Sequence, residues 1–240
     1  MEYNLTKFQQ GLEELKIGLS DEQIQQFIRY YELLIEWNKV MNLTGITEFD
    51  DVIEKHFLDS LALVKIIPDL RKQFILDLGT GAGFPGIPLK IAFPDLQIVL
   101  MDSLNKRINF LNEVIFVLKL KKIEAIHGRA EEMARQKNYR QQFDVCVSRA
   151  VSNLSSLSEY CLPFVKKGGY FVSYKSADAD KEISLAKKAI FVLGGEIKDV
   201  VKFKLPDTDL RRSFVYIKKV KDTPKAYPRK AGTPTKDPIS

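Results

Sequence analysis

The sequence predicts an α/β protein in which a mainly parallel sheet follows a helical N-terminal extension. Three observations predict this class. From about residue 73 apolar segments of strand length alternate with amphipathic helical patterns, the first such strand runs into a glycine-rich turn, and the chain before it has helical periodicity. Alternation of this kind implies right-handed crossovers and a parallel sheet covered on both faces. With 240 residues, 45% of them hydrophobic, the chain can bury a sizeable core.

The first 66 residues are predicted to be a helical extension packed on that core. Ser20 and Gln23 form a capping-box pattern, after which apolar residues recur at helical spacing. Residues 42–45 predict the end of this helix, and a second helical pattern continues to about residue 65. The predicted organisation is therefore a helical extension at residues 1–66, an α/β core at residues 67–220 and a basic C-terminal arm at residues 221–240.

Seven strands are predicted in the core. The first five, expected to be parallel, are residues 74–78, 97–101, 123–127, 143–147 and 170–174. The last two, near residues 197–203 and 214–220, are joined by a polar loop, which predicts a hairpin-like antiparallel edge. An amphipathic helix after the second strand is predicted to be capped by Ser103.

The glycine-rich turn after the first strand fits two kinds of nucleotide-like ligand. Gly81, Gly83 and Gly86 match the G-x-G-x-x-G pattern, and Asp102 follows 21 positions after Gly81, near where a dinucleotide fold has its ribose-binding acid. A nicotinamide cofactor is therefore one interpretation. A tight turn with no ligand is another, because a lone glycine-rich loop is a weak signal.

Three residues around this turn favour S-adenosylmethionine over a dinucleotide. Pro85 and Pro88 remove N–H donors from the helix start that would have to bind a pyrophosphate. Asp77, at the end of the strand, would repel an anionic ligand and attract a cationic one. S-adenosylmethionine carries a sulfonium and an ammonium and no phosphate, and Asp102 could still bind its ribose.

Polar residues follow successive predicted strands and should meet at one edge of the sheet. They are Asp77, Asp102, the turn at residues 128–131, Arg149 and Lys175. Ligands of open α/β sheets bind outside the carboxyl ends of the strands. We therefore expect these residues to converge on one crevice.

The positive charge of the chain is concentrated at its C-terminus. The net charge is +6, and residues 217–240 contain seven basic and two acidic residues, so they carry +5. Four prolines in this stretch predict an extended basic arm. Such an arm could bind the phosphate backbone of a nucleic acid, or it could serve only to keep the protein soluble.

Other features of the sequence limit which class of protein this can be. No apolar run is long enough to span a membrane and the first residues do not resemble a signal peptide, so the cytoplasm is the expected compartment. Cys146 and Cys161 are expected to be reduced core residues, and with His56 and His127 as the only histidines, no metal site is expected. Nothing in the sequence requires more than a monomer.

Several motifs together resemble one family, ribosomal small-subunit RNA methyltransferase G, also called glucose-inhibited division protein B. The resemblance covers essentially the whole chain and rests on LDLGTGAGFPGIPL at residues 76–89, EWNK at 36–39, NLT at 42–44, KHFLDSL at 55–61, DSLNKR at 102–107, SRA at 148–150 and YPRKAGTP at 227–234. It implies a Rossmann-like class I methyltransferase fold. It also implies methyl transfer from S-adenosylmethionine to N7 of a guanine in bacterial 16S rRNA, at nucleotide 527 in the usual rRNA numbering.

The resemblance also implies site residues. The expected cofactor contacts are Gly79, Phe84, Ala130, Glu131 and Arg149, to which the strand-end argument adds Asp77, Gly81 and Asp102. Arg149 and Lys175 are candidates for positioning the target base. The RNA-binding candidates are Lys175, Arg211, Arg212, Arg229 and Lys230, with free 16S rRNA or the small ribosomal subunit as partner. Where the family often has glycine after the lysine, this chain has Ser176, which puts in doubt a role requiring a glycine conformation there.

The implied chemistry agrees with the residues available. N7 of guanine already carries a lone pair, so transfer needs correct positioning but neither a general base nor a metal. Three alternatives stay open from the sequence: a small-molecule methyltransferase, a nicotinamide-dependent oxidoreductase, and an RNA-binding module without catalytic activity.

Overall fold

The predicted seven strands form one sheet. The computed structural model describes residues 3–67, 69–149, 152–176 and 179–239; Ala150, part of one motif above, lies outside them. The strands are β1 Phe74–Leu78, β2 Gln97–Asp102, β3 Ile123–His127, β4 Phe143–Arg149, β5 Val165–Ser176, β6 Gly195–Lys204 and β7 Arg211–Lys219. They lie in the order β3-β2-β1-β4-β5-β7-β6.

The pairing directions agree with the prediction. Strands β1 to β5 pair in parallel, whereas β7 runs antiparallel to both β5 and β6. The hairpin at this edge is therefore confirmed, with β6 outermost and β7 between it and β5. Ser176 is the last residue of β5 and pairs with Arg212, so its backbone is in an extended conformation that does not require glycine.

Helices cover both faces of the sheet. The α-helices are α1 Thr6–Glu14, α2 Asp21–Met41, α3 Phe49–Val52, α4 Asp59–Leu61, α5 Gly86–Ala92, α6 Asn105–Val117, α7 Ala130–Met133, α8 Leu154–Cys161, α9 Asp180–Val192 and α10 Thr233–Lys236. None of them is both long and apolar enough to cross a membrane, within the part of the chain that the structure describes.

The helical extension forms as the sequence pattern predicts, with one irregularity. The Ser20 and Gln23 capping box is present, and α2 ends at Met41, followed by the C-cap residue Asn42 with a left-handed φ of 48°. The second helical pattern is divided, since a π-helix, Ile53–Leu58, lies between α3 and α4. Single π-helical turns often occur at functional sites.

Alternating strand residues pack into two hydrophobic layers. Ile75 and Val145 face the layer that includes the N-terminal extension, α5 and α6. Leu76 and Cys146 face the layer built by α8 and α9. Cys146 and Cys161 are free thiols buried in that second layer, as predicted.

Two predictions about local structure are wrong. Ser103 does not cap α6, because the helix begins at Asn105 and its N-cap residue is Leu104, whose N–H donates to the Asp102 carboxylate at 3.0 Å. The C-terminal arm is also not extended: the described part of residues 221–240 folds back onto the core and includes α10. Its backbone carbonyls accept hydrogen bonds from side chains of the core, which fixes it there despite its prolines.

Candidate active site

The loop between β1 and α5 needs glycine because of its backbone conformation. Gly79, Gly81 and Gly83 have φ values of 70°, 61° and 101°, in the left-handed region that other residues rarely adopt. A Cβ atom on Gly81 would meet nothing within 4 Å, whereas one on Gly83 would lie 2.9 Å from the Tyr30 hydroxyl. That hydroxyl donates to the Ala82 carbonyl at 2.6 Å, so α2 of the extension holds the loop in place.

Most N–H groups of this loop are already used inside the protein. Those of residues 79, 80, 81, 83, 84, 86 and 87 donate to protein acceptors at 2.7–3.2 Å. Pro85 and Pro88 have no N–H to offer. The start of α5 therefore lacks the set of free donors that binds a pyrophosphate in dinucleotide folds.

Asp77 lies beneath the loop. Its side chain is fully buried, and its Oδ2 accepts from the Thr80 hydroxyl at 2.7 Å and from the Gly86 N–H at 2.8 Å. Its Oδ1 has no hydrogen-bond partner, and burial raises the pKa of Asp77 to about 7. Asp77 therefore holds the loop, and it is not among the described residues that line the cavity beside it.

A cavity of about 650 Å³ opens at the carboxyl ends of β1, β2 and β4. Sites for small molecules and cofactors span roughly 300–1,000 Å³, so this one can hold a nucleoside-sized ligand. Seven of the eight predicted cofactor residues line it, all except Asp77: Gly79, Gly81, Phe84, Asp102, Ala130, Glu131 and Arg149. The structure thus brings together residues at or just after the carboxyl ends of four strands, β1 to β4.

Asp102 lies at the end of the cavity near β2 and β3. Its Oδ2 accepts from the Gly81 N–H at 3.0 Å and from Arg107 Nη1 at 3.1 Å. The carboxylate therefore joins the glycine loop to the start of α6. It also keeps a negative charge at this end of the cavity, which Arg107 partly neutralises.

Arg149 lies at the opposite end and connects the sheet to the N-terminal extension. Its Nη1 donates to the Lys55 carbonyl at 3.1 Å and to Asp59 Oδ2 at 3.0 Å, and its guanidinium lies 5.1 Å from the centre of the Phe84 ring. Arg212 donates to the other oxygen of Asp59 at 3.1 Å. The buried Asp59 carboxylate is therefore held between two arginines.

His56, on the π-helix, belongs to the same end of the cavity. Its ring stacks on Phe84 with centroids 4.4 Å apart, its Nδ1 lies 3.1 Å from Arg149 Nη2, and its Nε2 lies 2.9 Å from Thr44 Oγ1. Burial and the adjacent Arg149 cation lower the pKa of His56 to about 3. The imidazole is therefore neutral at physiological pH. Thr44 also lines the cavity, and sequence reasoning did not single it out as a site residue.

Four of the predicted RNA contacts differ in their surroundings. Lys175 donates to Glu182 at 2.7 Å and lies outside the cavity wall. Arg212 is engaged with Asp59, as described above. Arg211 and Lys230 are exposed to solvent.

Arg229, the fifth predicted RNA contact, pairs with a buried acid. It forms an ion pair with the fully buried Glu159 of α8, with Nη2 2.8 Å from Oε2. This pair anchors residues 227–239, called here the C-terminal segment. Within the segment, Gly232 and Thr235 line the cavity, and the Gly232 N–H donates to Glu131 Oε1 at 2.8 Å. The C-terminal segment is therefore one wall of the cavity, which sequence reasoning missed.

No local pattern in the sequence indicates this wall. At helical spacing Glu159 lies on the face of α8 opposite Leu157 and Cys161, where a solvent-exposed acid would be expected. A buried acid needs a cationic partner or hydrogen-bond donors. The sequence alone does not say which of the 37 basic residues supplies them.

The family is decided by comparison with known proteins. The model of the family described as rRNA small subunit methyltransferase G, GidB, matches residues 23–213. The chain belongs to this family. Two curated relatives named Ribosomal RNA small subunit methyltransferase G support the assignment. The relative from Lachnoclostridium phytofermentans is 59% identical over 97% of this chain and 96% of its own length. The relative from Desulforamulus reducens is 53% identical over 96% of each chain.

Comparison with solved structures agrees on the fold. The structure of MtNAS in complex with MTA and tNA is 14% identical, has a TM-score of 0.55, and aligns over 82% of this chain and 71% of that one. Similarity at this level supports the Rossmann-like methyltransferase architecture and no more.

Membership of the methyltransferase G family decides between the alternatives that the sequence left open. The protein is a methyltransferase, and its cofactor is S-adenosylmethionine. The two alternatives of a nicotinamide-dependent oxidoreductase and of a module without catalytic activity are therefore wrong. The residues fit this cofactor, because the space at Gly81 is open, the loop has no free donor set for a pyrophosphate, and Asp102 and Glu131 supply negative charge.

Proposed function

We propose that this protein methylates N7 of a guanine in 16S rRNA of the small ribosomal subunit, at nucleotide 527 in the usual numbering. The name of its family supports the RNA substrate. The choice of N7 as the methylated atom rests on the residues at the Arg149 end of the cavity. Neither His56 nor Asp59 at this end is free to remove a proton from a substrate, because both are engaged with Arg149.

The two candidate bases at this end are already engaged. Nδ1 of His56 faces Arg149 at 3.1 Å and Nε2 contacts Thr44 at 2.9 Å, while the pKa of His56 is lowered to about 3. Both oxygens of Asp59 accept from arginines. A hydroxyl nucleophile would need a base here. N7 of guanine needs none, because its lone pair is available before reaction.

The chain's own residues would hold the cofactor in one orientation. When bound, S-adenosylmethionine supplies an electrophilic methyl group on a sulfonium. We assign Asp102 to the ribose hydroxyls, in exchange for its contact with Arg107, and Ala130 and Glu131 to the adenine. The Gly79 and Gly81 backbone allows close approach of the ligand. The reacting end of the cavity is then the end lined by Arg149.

The RNA is expected to reach this end with its target base unstacked. The deep major groove of an RNA helix hinders access to N7, so a base in a loop or turned out of the helix fits better. We assign Arg211 and Lys230, both exposed, to phosphate contacts. We infer that Arg229 is structural because it is paired with Glu159, and Lys175 stays a prediction.

The test uses the purified full-length protein, labelled S-adenosylmethionine, and 16S rRNA offered both free and in small subunits lacking the modification. After borohydride reduction and aniline treatment, RNA chains break at 7-methylguanosine. We expect one labelled break, at the target guanine, and a much lower rate for Arg149→Ala. Label on another atom or at many sites would contradict the proposal. Transfer to small molecules alone would favour the small-molecule methyltransferase.

A further inference from the structure

Thr44 is held rigidly at the Arg149 end of the cavity before any ligand binds. The Asn38 side chain clamps its backbone, with Nδ2 donating to the Thr44 carbonyl at 3.0 Å and Oδ1 accepting the Thr44 N–H at 2.9 Å. The Ile46 N–H donates to Thr44 Oγ1 at 3.0 Å, and His56 Nε2 lies 2.9 Å from the same oxygen. Such fixed geometry is what a recognition residue needs.

The neighbours of His56 determine which ring nitrogen carries its hydrogen. Nδ1 lies 3.1 Å from Arg149 Nη2 and 3.0 Å from the Lys55 carbonyl. A guanidinium can only donate, so the ring nitrogen that faces Arg149 Nη2 must accept. We therefore assign the hydrogen to Nε2, which donates it to Thr44.

This assignment fixes the direction in which the Thr44 hydroxyl acts. A hydroxyl oxygen has two acceptor lone pairs and one hydrogen. Both lone pairs of Thr44 are used, one by the Ile46 N–H and one by His56 Nε2–H. Its hydrogen is therefore left to donate to a further acceptor, and the side chain lies on the cavity wall.

An acceptor on the target base meets this donor. We propose that the Thr44 hydroxyl donates a hydrogen bond to O6 of the target guanine and thereby selects guanine over adenine. The proposal rests on the proposed function, which brings N7 of the base to this end of the cavity. Guanine carries two acceptors, N7 and O6, on one edge, whereas adenine has an amino donor beside N7. Two donors facing each other in a cavity would leave both unsatisfied.

The test compares methyl transfer to 16S rRNA carrying guanosine or 2,6-diaminopurine riboside at the target position, prepared by ligation. Diaminopurine keeps N7 and replaces O6 with an amino group. We expect the wild type to prefer guanosine at least about tenfold, in line with the discrimination of one good base contact. Thr44→Val, which removes the donor, should lose most of this preference, and Thr44→Ser should keep it. Thr47→Val, at an exposed position on the same loop, should behave as the wild type.

Two further readouts separate recognition from structural damage. The dissociation constant of S-adenosylmethionine should change less than about twofold in Thr44→Val. Nitrogen-15 NMR of the wild type should show a hydrogen on Nε2 of His56 and none on Nδ1, an assignment made simple by the presence of only two histidines. Both measurements apply to the folded protein without RNA.

Distinct results would overturn each proposal. An unchanged preference in Thr44→Val, a hydrogen on Nδ1, or a tenfold loss of cofactor affinity with the preference intact would overturn the role of Thr44 alone. If the wild type methylates RNA with 7-deazaguanosine at the target as fast as guanosine RNA, the proposed N7 chemistry fails, and the Thr44 proposal falls with it.

Discussion

Replacing Arg229 with alanine removes the cation that faces Glu159, a carboxylate with no exposed surface. The guanidinium makes three contacts with that carboxylate at 2.8–3.1 Å, and the Arg229 backbone N–H makes a fourth at 2.7 Å. Removing one partner of a buried pair costs roughly 3–5 kcal/mol. Because the backbone contact remains and Arg229 is 25% exposed, we expect about 3 kcal/mol, at the lower end of that range.

This loss of stabilisation should release the C-terminal segment from the core rather than unfold the whole protein. About 3 kcal/mol corresponds to roughly a hundredfold change in an equilibrium constant, here that between docked and released segment. Since Gly232 and Thr235 line the cavity, release opens one of its walls. We expect calorimetric titration to give a dissociation constant for S-adenosylmethionine at least about tenfold higher, with the far-ultraviolet circular dichroism unchanged.

Two further variants make the Arg229 experiment decisive. Lys225→Ala, at an exposed position just before the segment, removes the same charge and should bind the cofactor normally. Glu159→Gln combined with Arg229→Met should be more stable than Arg229→Ala, because no buried charge is left unpaired. If Arg229→Ala instead binds S-adenosylmethionine normally and loses affinity only for RNA, the wall has no role and Arg229 is an RNA contact.

The remaining predictions concern the loop, the imidazole and the RNA surface. Gly81→Ala and Gly168→Ala place a Cβ in open space at positive φ, so each should cost about 1–2 kcal/mol of stability, but calorimetry should show weaker cofactor binding only for Gly81→Ala. The pKa of His56 is about 3 in the fold and ordinarily near 6.5, so at this residue the unfolded chain gains a proton first as the pH falls. Asp77, whose pKa is raised to about 7, acts in the opposite direction in the wild type and in His56→Gln alike; urea unfolding should therefore show the wild type losing about 2 kcal/mol relative to His56→Gln between pH 7 and pH 5, and equal pH dependence of the two proteins would contradict this. Arg211→Ala and Lys230→Ala should each lower the salt dependence of RNA binding by about one ion, measured by filter binding, and unchanged slopes would exclude phosphate contacts.

Local sequence patterns predicted much of the fold because they reflect interactions between residues that are close in the sequence. The Ser20 capping box, the apolar run at β1 and the polar loop before β7 each act over a few residues, and each is in the structure. The Ser103 cap failed for a related reason. The helix begins at Asn105, one residue later than a cap at Ser103 requires, and the Asp102 carboxylate binds the N–H of Leu104, the residue that takes the capping position.

The candidate site was predictable where it follows the strands and not where distant segments meet. Strand ends converge because the strands β1 to β5 are parallel, which is why residues such as Gly81 and Arg149 line one cavity. Glu159 and Arg229 lie 70 positions apart, and nothing in the sequence around either residue identifies the other as its partner. Thr44 was missed because its role depends on hydrogen bonds from Ile46 and His56, which only the folded loop creates.

The most direct measurement is mass spectrometry of nuclease fragments of 16S rRNA from cells with and without the gene. We predict that the fragment containing nucleotide 527 loses one methyl group, carried by N7 of one guanosine, when the gene is absent. The purified protein and S-adenosylmethionine should restore it. Identical fragment masses in the two strains, or a lost methyl group on any other atom, would contradict the central claim.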